Sequence, residues 1–454
     1  MNCWNVGIIG GGPGGLMTAY LLQKYATVPF RATILEASSR LGGKIITNQF
    51  AAAPVMYEAG AAELYDYSVV GPDPLRALVA ELGLPTTPMD GNKVITAGAD
   101  EWEPHAVEAL EQFDRRAREW MSPWQFYDSD WTAGECDPLD RQSFQSVLAE
   151  ILDDTVRRYV QTMIHSDLAT EPHLTNATYG LQNYLMNDPA YMRLYTIDGG
   201  IERLPQELAR RIDAEVLFDH RVRRVERTPD GCVRVSSRHG NKPVEREFDF
   251  VVVALPNHLL PTIEWGGDAL ADAMRRHHAH YNYPAHYLRI TILFECPFWR
   301  KHINESYFML DAFDGCCVYD ESSRNGNDTH GVLGWLLGGD AAARLSRLSD
   351  NELVAMMLDS LPSYLQHGRT EFVEAKIHRW ASAVNGMPSG YPTRSLDTRH
   401  VPEPTRHPNL LVVGDYLFDS TLNGVLDSAD FAAEWLAAEM GHRANRSERR
   451  TKTR

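Results

Sequence analysis

A glycine-rich turn near the N-terminus limits what this chain can fold into more than any other feature. Val6-Gly7-Ile8-Ile9 is a short apolar run, Gly10-Gly11-Gly12-Pro13-Gly14-Gly15 follows at once, and Leu16 to Tyr25 carries apolar residues at helical spacing. Gly10, Gly12 and Gly15 fit G-x-G-x-x-G with a strand before and a helix after, the context in which this pattern binds a dinucleotide. Gly10 permits the tight turn, Gly12 lets a pyrophosphate approach the backbone, and Gly15 lets helix and strand pack closely. The helix N-terminus, opened by Pro13 and Gly14, offers N–H groups and a positive dipole end to phosphates. Ala32 to Glu36 reads as the second strand. Glu36, with Ala37 after it, stands where an acid meets a ribose hydroxyl and repels a 2′-phosphate, which argues against NADP.

Charge narrows the partners. Against 44 Lys and Arg stand 61 Asp and Glu, a formal charge of −17 in 454 residues. That argues against nucleic acid and against an anionic membrane surface, and it suits a cationic or neutral small molecule. No apolar run reaches membrane-spanning length. The chain enters its first strand at once, with no signal peptide expected, so a cytoplasmic protein is expected. The six cysteines include no C-x-x-C pair and read as no disulfide framework. Cys316-Cys317 reads as strand residues facing opposite sides. His277-His278-Ala279-His280 reads as a surface run on a helix rather than a metal site, because no acid or cysteine cluster stands near it.

Further along, Arg40-Leu41-Gly42-Gly43-Lys44 brings a second glycine pair beside basic residues, as though the backbone passes close to a ligand again. Glu58-Ala59-Gly60-Ala61-Ala62-Glu63 has another small-residue centre. From about 104 to 195 the pattern is helical, with Trp102, Trp120, Trp124, Phe126, Tyr127 and Trp131, and reads as a separate helical lobe. Short strands around Val222 and from Phe248 to Leu255 return to the nucleotide lobe, as does a last strand ending at Gly414-Asp415. The predicted division is 1–64, 196–262 and 376–441 for the nucleotide domain and 65–195 and 263–375 for the other. The tail from His442, with six Lys or Arg against one Glu, is expected to be disordered.

On these residues together with Gly199-Gly200, Trp380 and Gly414-Asp415 through Ala433, the chain resembles the flavin-containing amine oxidase superfamily. The resemblance spans the chain and implies an α/β fold: a Rossmann-type FAD-binding domain interleaved with an α+β substrate-binding domain. It implies non-covalent FAD, since Ser389-Gly390-Tyr391 lacks the family's covalent cysteine. Gly10, Gly12, Gly15 and Glu36 would hold the ADP part, with Arg40, Gly42, Gly43, Lys44, Gly60 and Ala61 beside the pyrophosphate and flavin. Val222 would meet adenine, Asp415 the ribityl and pyrophosphate, and Leu422, Asn423 and Val425 the flavin N1–C2=O edge. Arg289 stands where many relatives have a lysine that holds a water beside flavin N5, which lowers the expectation of fast reaction with oxygen. Glu63 replaces an arginine that clamps carboxylates in amino-acid oxidases, so it should favour a cation. Trp380 and Tyr391 stand near the family's aromatic walls. The expected reaction is oxidation of a C–N bond in a small amine or amino acid derivative, by an enzyme acting alone or as a homodimer. The alternatives are C–C desaturation of the protoporphyrinogen-oxidase kind and redox-neutral isomerisation.

Overall fold

The computed structural model describes residues 3–452 except 92–93, 96–103, 128–137, 323–328 and 393. Trp102, Trp131 and Cys136 lie outside the described residues. The chain forms two compact units from interleaved segments: Met1–Ile45, Glu202–Asn282 and Arg394–Arg454 in the first, Ile46–Ile201 and Tyr283–Thr393 in the second. These boundaries differ from the predicted ones in a consistent way. The Asp268–His280 helix buries Leu270, Ala273, Met274 and His277 within the first unit. The Phe372–Asn385 strand pairs along the Pro284–Phe294 strand and so stays with the second.

The first unit is built on a five-stranded parallel sheet. Its order runs Leu410–Val412, Phe250–Val253, Trp4–Ile9, Phe30–Leu35, Ala214–Leu217. Val251, Val252 and Val253 are wholly buried, as an apolar run in a sheet covered on both faces requires. The first strand is central, and chain order reverses on its two sides. That is the switch point at which such sheets bind ligands beyond their C-terminal ends. The Gly10–Gly15 turn sits at that end and opens the Pro13–Tyr25 helix. The Leu422–Lys452 helix closes the unit. The predicted disorder after His442 is therefore overturned: the backbone there continues the same helix, since the segment lacks any proline and its glycine, Gly441, leaves the turn unbroken.

The second unit carries a six-stranded sheet in the order Phe372–Asn385, Pro284–Phe294, Gly331–Gly338, Cys316–Asp320, Tyr307–Leu310, Val94–Ile95. Leu288, Ile290, Ile292 and Phe294 alternate into one core with Trp299, Trp335, Val318 and Cys316. On the opposite face Met309, Cys317, Tyr319 and Leu336 join Phe144, Val156, Val160, Met163 and Ile164 from the helices. The aromatic helical stretch falls in this second unit, where its helices bury their apolar stripes against the sheet. Cys316 and Cys317 do face opposite sides.

Candidate active site

In the first unit, the two glycine motifs meet. Gly10 has φ +108° and Gly15 sits so close that an added Cβ would lie 2.1 Å from the Gly10 carbonyl oxygen. The Gly42 N–H donates to the Gly11 carbonyl at 2.9 Å, which seats the second glycine pair on the first turn. A Cβ on Gly43, whose φ is +55°, would come 3.1 Å from the Gly12 Cα. Glu36 accepts from the Gly11 N–H at 2.8 Å through one oxygen and from the Ser38 N–H at 2.8 Å through the other. A Cβ added at Gly14 would come into van der Waals contact with Val413, Val425 and Ala254. The turn, the last two sheet strands and the final helix thus converge on one spot. Thr421 caps that helix, its Oγ1 accepting from the Gly424 N–H at 3.1 Å while it donates to Asp419 at 2.7 Å.

The basic residues divide. Arg40 donates to the carbonyls of Leu41 and Gly43, so it ties its own turn. The Lys44 ammonium pairs with the Asp415 carboxylate at 3.3 Å, joining the second turn to the end of the last strand. Val222 is 7% exposed beside a register shift in its strand. Ala37 is exposed. His277 corrects an expectation: it is wholly buried, ringed by Tyr281 and Tyr416, with its proton affinity lowered first by burial. His278 and His280 remain partly exposed.

In the second unit, antiparallel register puts Arg289, Leu336, Cys317 and Met309 in one row across the sheet, with Tyr319 and Tyr307 in the next. Tyr287 is paired with Trp380. Arg289 is 1% exposed. Its Nε donates to the Glu58 carbonyl at 2.7 Å and its Nη2 pairs with Glu321. Glu321 also accepts from the Glu58 N–H at 2.8 Å, and Trp380 Nε1 donates to the Ala59 carbonyl at 2.7 Å. The segment leading to Gly60 and Ala61 is thereby pinned from two strands. Gly334 makes room, because a Cβ there would fall 2.6 Å from a Glu321 oxygen. Tyr391 stands edge-to-face with Tyr283 at 5.6 Å, packed against the same core as Tyr287.

Beyond this network lies a pocket partly open to solvent, lined by Glu63, Asp167, Tyr65, Tyr307, Tyr319 and Cys317, with Met186, Met192 and Met309 among its apolar wall. Burial and then the Glu63 charge hold the Asp167 carboxyl well above the usual carboxylate range. Burial and then the Asp167 charge push the Tyr65 and Tyr287 hydroxyls upward. Two acids thus line one pocket with tyrosines that burial keeps neutral.

A family description, flavin containing amine oxidoreductase, matches residues 13–436. The chain belongs to that family. Among its relatives, a Mycobacterium tuberculosis protein assigned as the flavin-containing monoamine oxidase AofH is 25% identical over 323 residues, 65% of this chain and 66% of that one. Polyamine oxidase 2 of Arabidopsis thaliana is 24% identical over 413 residues, 84% of this chain and 76% of that one. The chain thus spans about two thirds of the length of AofH. Putrescine oxidase bound to putrescine has the same fold: the TM-score is 0.72 at 19% identity, over 97% of this chain and 99% of that one.

The cofactor of this amine oxidoreductase family is FAD, and the first unit fits its ADP part. Glycine turns packed so closely that a Cβ at Gly15 or Gly43 would meet backbone, an acid at the end of the second strand and a helix N-terminus are the parts a dinucleotide needs. The sequence had no direct sign of Asp167, Glu321 or the pairing of Lys44 with Asp415. One signal was present. Val156, Val160, Met163 and Ile164 set a buried stripe on the Asp154–Leu168 helix, and Asp167 falls on it. An acid on an apolar stripe marks either a buried pair or a site. Among the described residues, no group of three or more His, Cys, Asp or Glu side chains is placed to hold a metal, and no helix is long and apolar enough to cross a membrane.

Proposed function

We propose that this chain is an FAD-dependent enzyme that oxidises the C–N bond of a small amine, with the cavity of the second unit recognising the amine's charge. The observation that carries this is the cavity itself: Glu63 and Asp167 set among Tyr65, Tyr307 and Tyr319. The names of the relatives point the same way. Bound FAD would supply the hydride acceptor, held without a covalent link by Gly10, Gly12, Gly15, Glu36, Gly42 and Gly43, with Lys44, Asp415 and the Leu422–Val425 turn at its other end. Glu63 and Asp167 attract and orient the ammonium. Tyr65, Tyr307 and Tyr319 line the same cavity and help exclude water. The amine must lose its proton before its carbon can yield hydride, so activity rises with pH.

The test is an anaerobic titration of the yellow protein with primary amines, amino acids and porphyrinogens, followed by air. Bleaching by amines supports the proposal, and return of colour on aeration identifies oxygen as an acceptor. Bleaching by a porphyrinogen alone would replace it with C–C desaturation. Turnover without either bleaching at equilibrium or oxygen uptake would point to isomerisation.

A further inference from the structure

We infer that Glu63 and Asp167 hold one proton between them when the cavity is empty and give it up to solvent when an organic ammonium enters, which makes Asp167 a specificity-determining residue. The inference rests on the amine reading above and deepens it. Asp167 arrives from the last turn of the Asp154–Leu168 helix and Glu63 from the residues just before the Leu64–Asp66 strand, and both line the same cavity. Two ionised carboxylates lining one pocket repel, and burial leaves them poorly solvated, so one of them keeps a proton.

The surroundings leave that proton where it is. Tyr65 stands on the Leu64–Asp66 strand, Tyr287 on the Pro284–Phe294 strand, Tyr307 on the Tyr307–Leu310 strand, and Cys317 and Tyr319 on the Cys316–Asp320 strand. All have raised proton affinities, caused first by burial, and stay neutral. Arg289 feels the Glu63 charge, yet its guanidinium is engaged by Glu321 and the Glu58 carbonyl. The Tyr287 hydroxyl donates to the Asp167 backbone carbonyl at 3.3 Å, which fixes that residue's backbone. An ammonium replaces the proton's charge and adds N–H donors for both acids. The exchange balances: the Asp167 carboxyl releases a proton to solvent, and the carboxylate then faces the ammonium.

The experiment is calorimetric titration of the FAD-loaded protein with tert-butylammonium, whose nitrogen-bearing carbon has no hydrogen to give the flavin, and with tert-butanol as the neutral match. The wild type should bind the cation about tenfold more tightly per unit rise in pH while the pair holds its proton. The heat should also vary with the buffer's own protonation enthalpy. Asp167→Asn should lose both signs, with flavin spectrum and circular dichroism unchanged. Should that variant fail to fold, Glu63→Gln serves, since removing the like charge moves the pH-dependent range downward. Cation binding with no pH slope, no cation binding, or a slope that survives D167N overturns the inference. Amine bleaching without proton exchange would leave the amine reading standing while this pair falls; proton exchange without bleaching by any amine would do the reverse.

Discussion

Arg289 and Glu321 are both at most 1% exposed, and each is tied to the backbone of Glu58 as well as to the other. Arg289 is therefore a buried ion-pair partner and no solvated strand arginine. Replacing it with methionine strands a carboxylate in the core and should lower stability by about 3–5 kcal/mol. Adding Glu321→Leu should recover most of that, as read from chemical denaturation midpoints. Equal midpoints for R289M and the wild type would show that the pair contributes nothing. Glu63→Gln should raise KM for a cationic amine roughly tenfold or more while leaving a neutral analogue little changed. Equal effects on both would remove Glu63 from the site.

The Asp154–Leu168 helix is the element that brings Asp167 to the cavity, and its two ends are anchored differently. Asp153 caps the first turn, its carboxylate accepting from the Thr155 N–H at 2.8 Å and the Val156 N–H at 3.1 Å. Asp153→Ala should cost about 1 kcal/mol. Near the other end, wholly buried His165 contacts the Glu171 carboxylate at 3.1 Å and the Gly315 carbonyl at 3.2 Å. Burial alone would lower the His165 proton affinity, but the Glu171 hydrogen bond and charge outweigh it, and the net shift is upward from 6.5. Glu171 is held below 4.5: burial would raise it, and the His165 hydrogen bond and charge prevail. The sign follows for each. The histidine's contribution is complete below pH 6.5 and is lost as pH rises through its higher folded value. The glutamate's contribution is complete above pH 4.5 and is lost as pH falls through its lower folded value. The melting temperature of the wild type should therefore exceed that of Glu171→Gln most between those limits, with the gap closing in alkaline buffer. A gap that is flat with pH would show that the pair is not charged.

At the scale of the molecule, cofactor and fold are linked. FAD binds the folded first unit and not the unfolded chain, so holoprotein gains about 4 kcal/mol when free FAD stands a thousandfold above its dissociation constant. Gly43→Ala imposes a side chain at φ +55° and 3.1 Å from the Gly12 Cα. The backbone strain is about 1–2 kcal/mol, and the cradle must open to relieve it. This variant should purify with far less flavin per chain at unchanged circular dichroism. Full flavin content would mean that the two glycine turns need not touch. The charge of −17 belongs to this scale too: it keeps polyanions away and leaves cations free to approach.

The sequence by itself determined the nucleotide fold and most of its cradle. A strand, a glycine turn and a helix are local, and backbone sterics at Gly10 and Gly15 limit what can stand there. It also determined the interleaving, since strand signatures at the start, middle and end of the chain share one sheet. What only the tertiary structure decided are the partners of charged side chains. Arg289 meets Glu321 because antiparallel register and the missing side chain of Gly334 bring them together. Asp167 and Glu63 line one cavity because a helix stripe and the approach to a short strand wall it together. The basic tail extends a helix because the backbone of its last folded turns carries on into it. Spacing along a chain fixes which face a residue takes, but the distance between two charges far apart in sequence exists only once the sheet has closed on its helices.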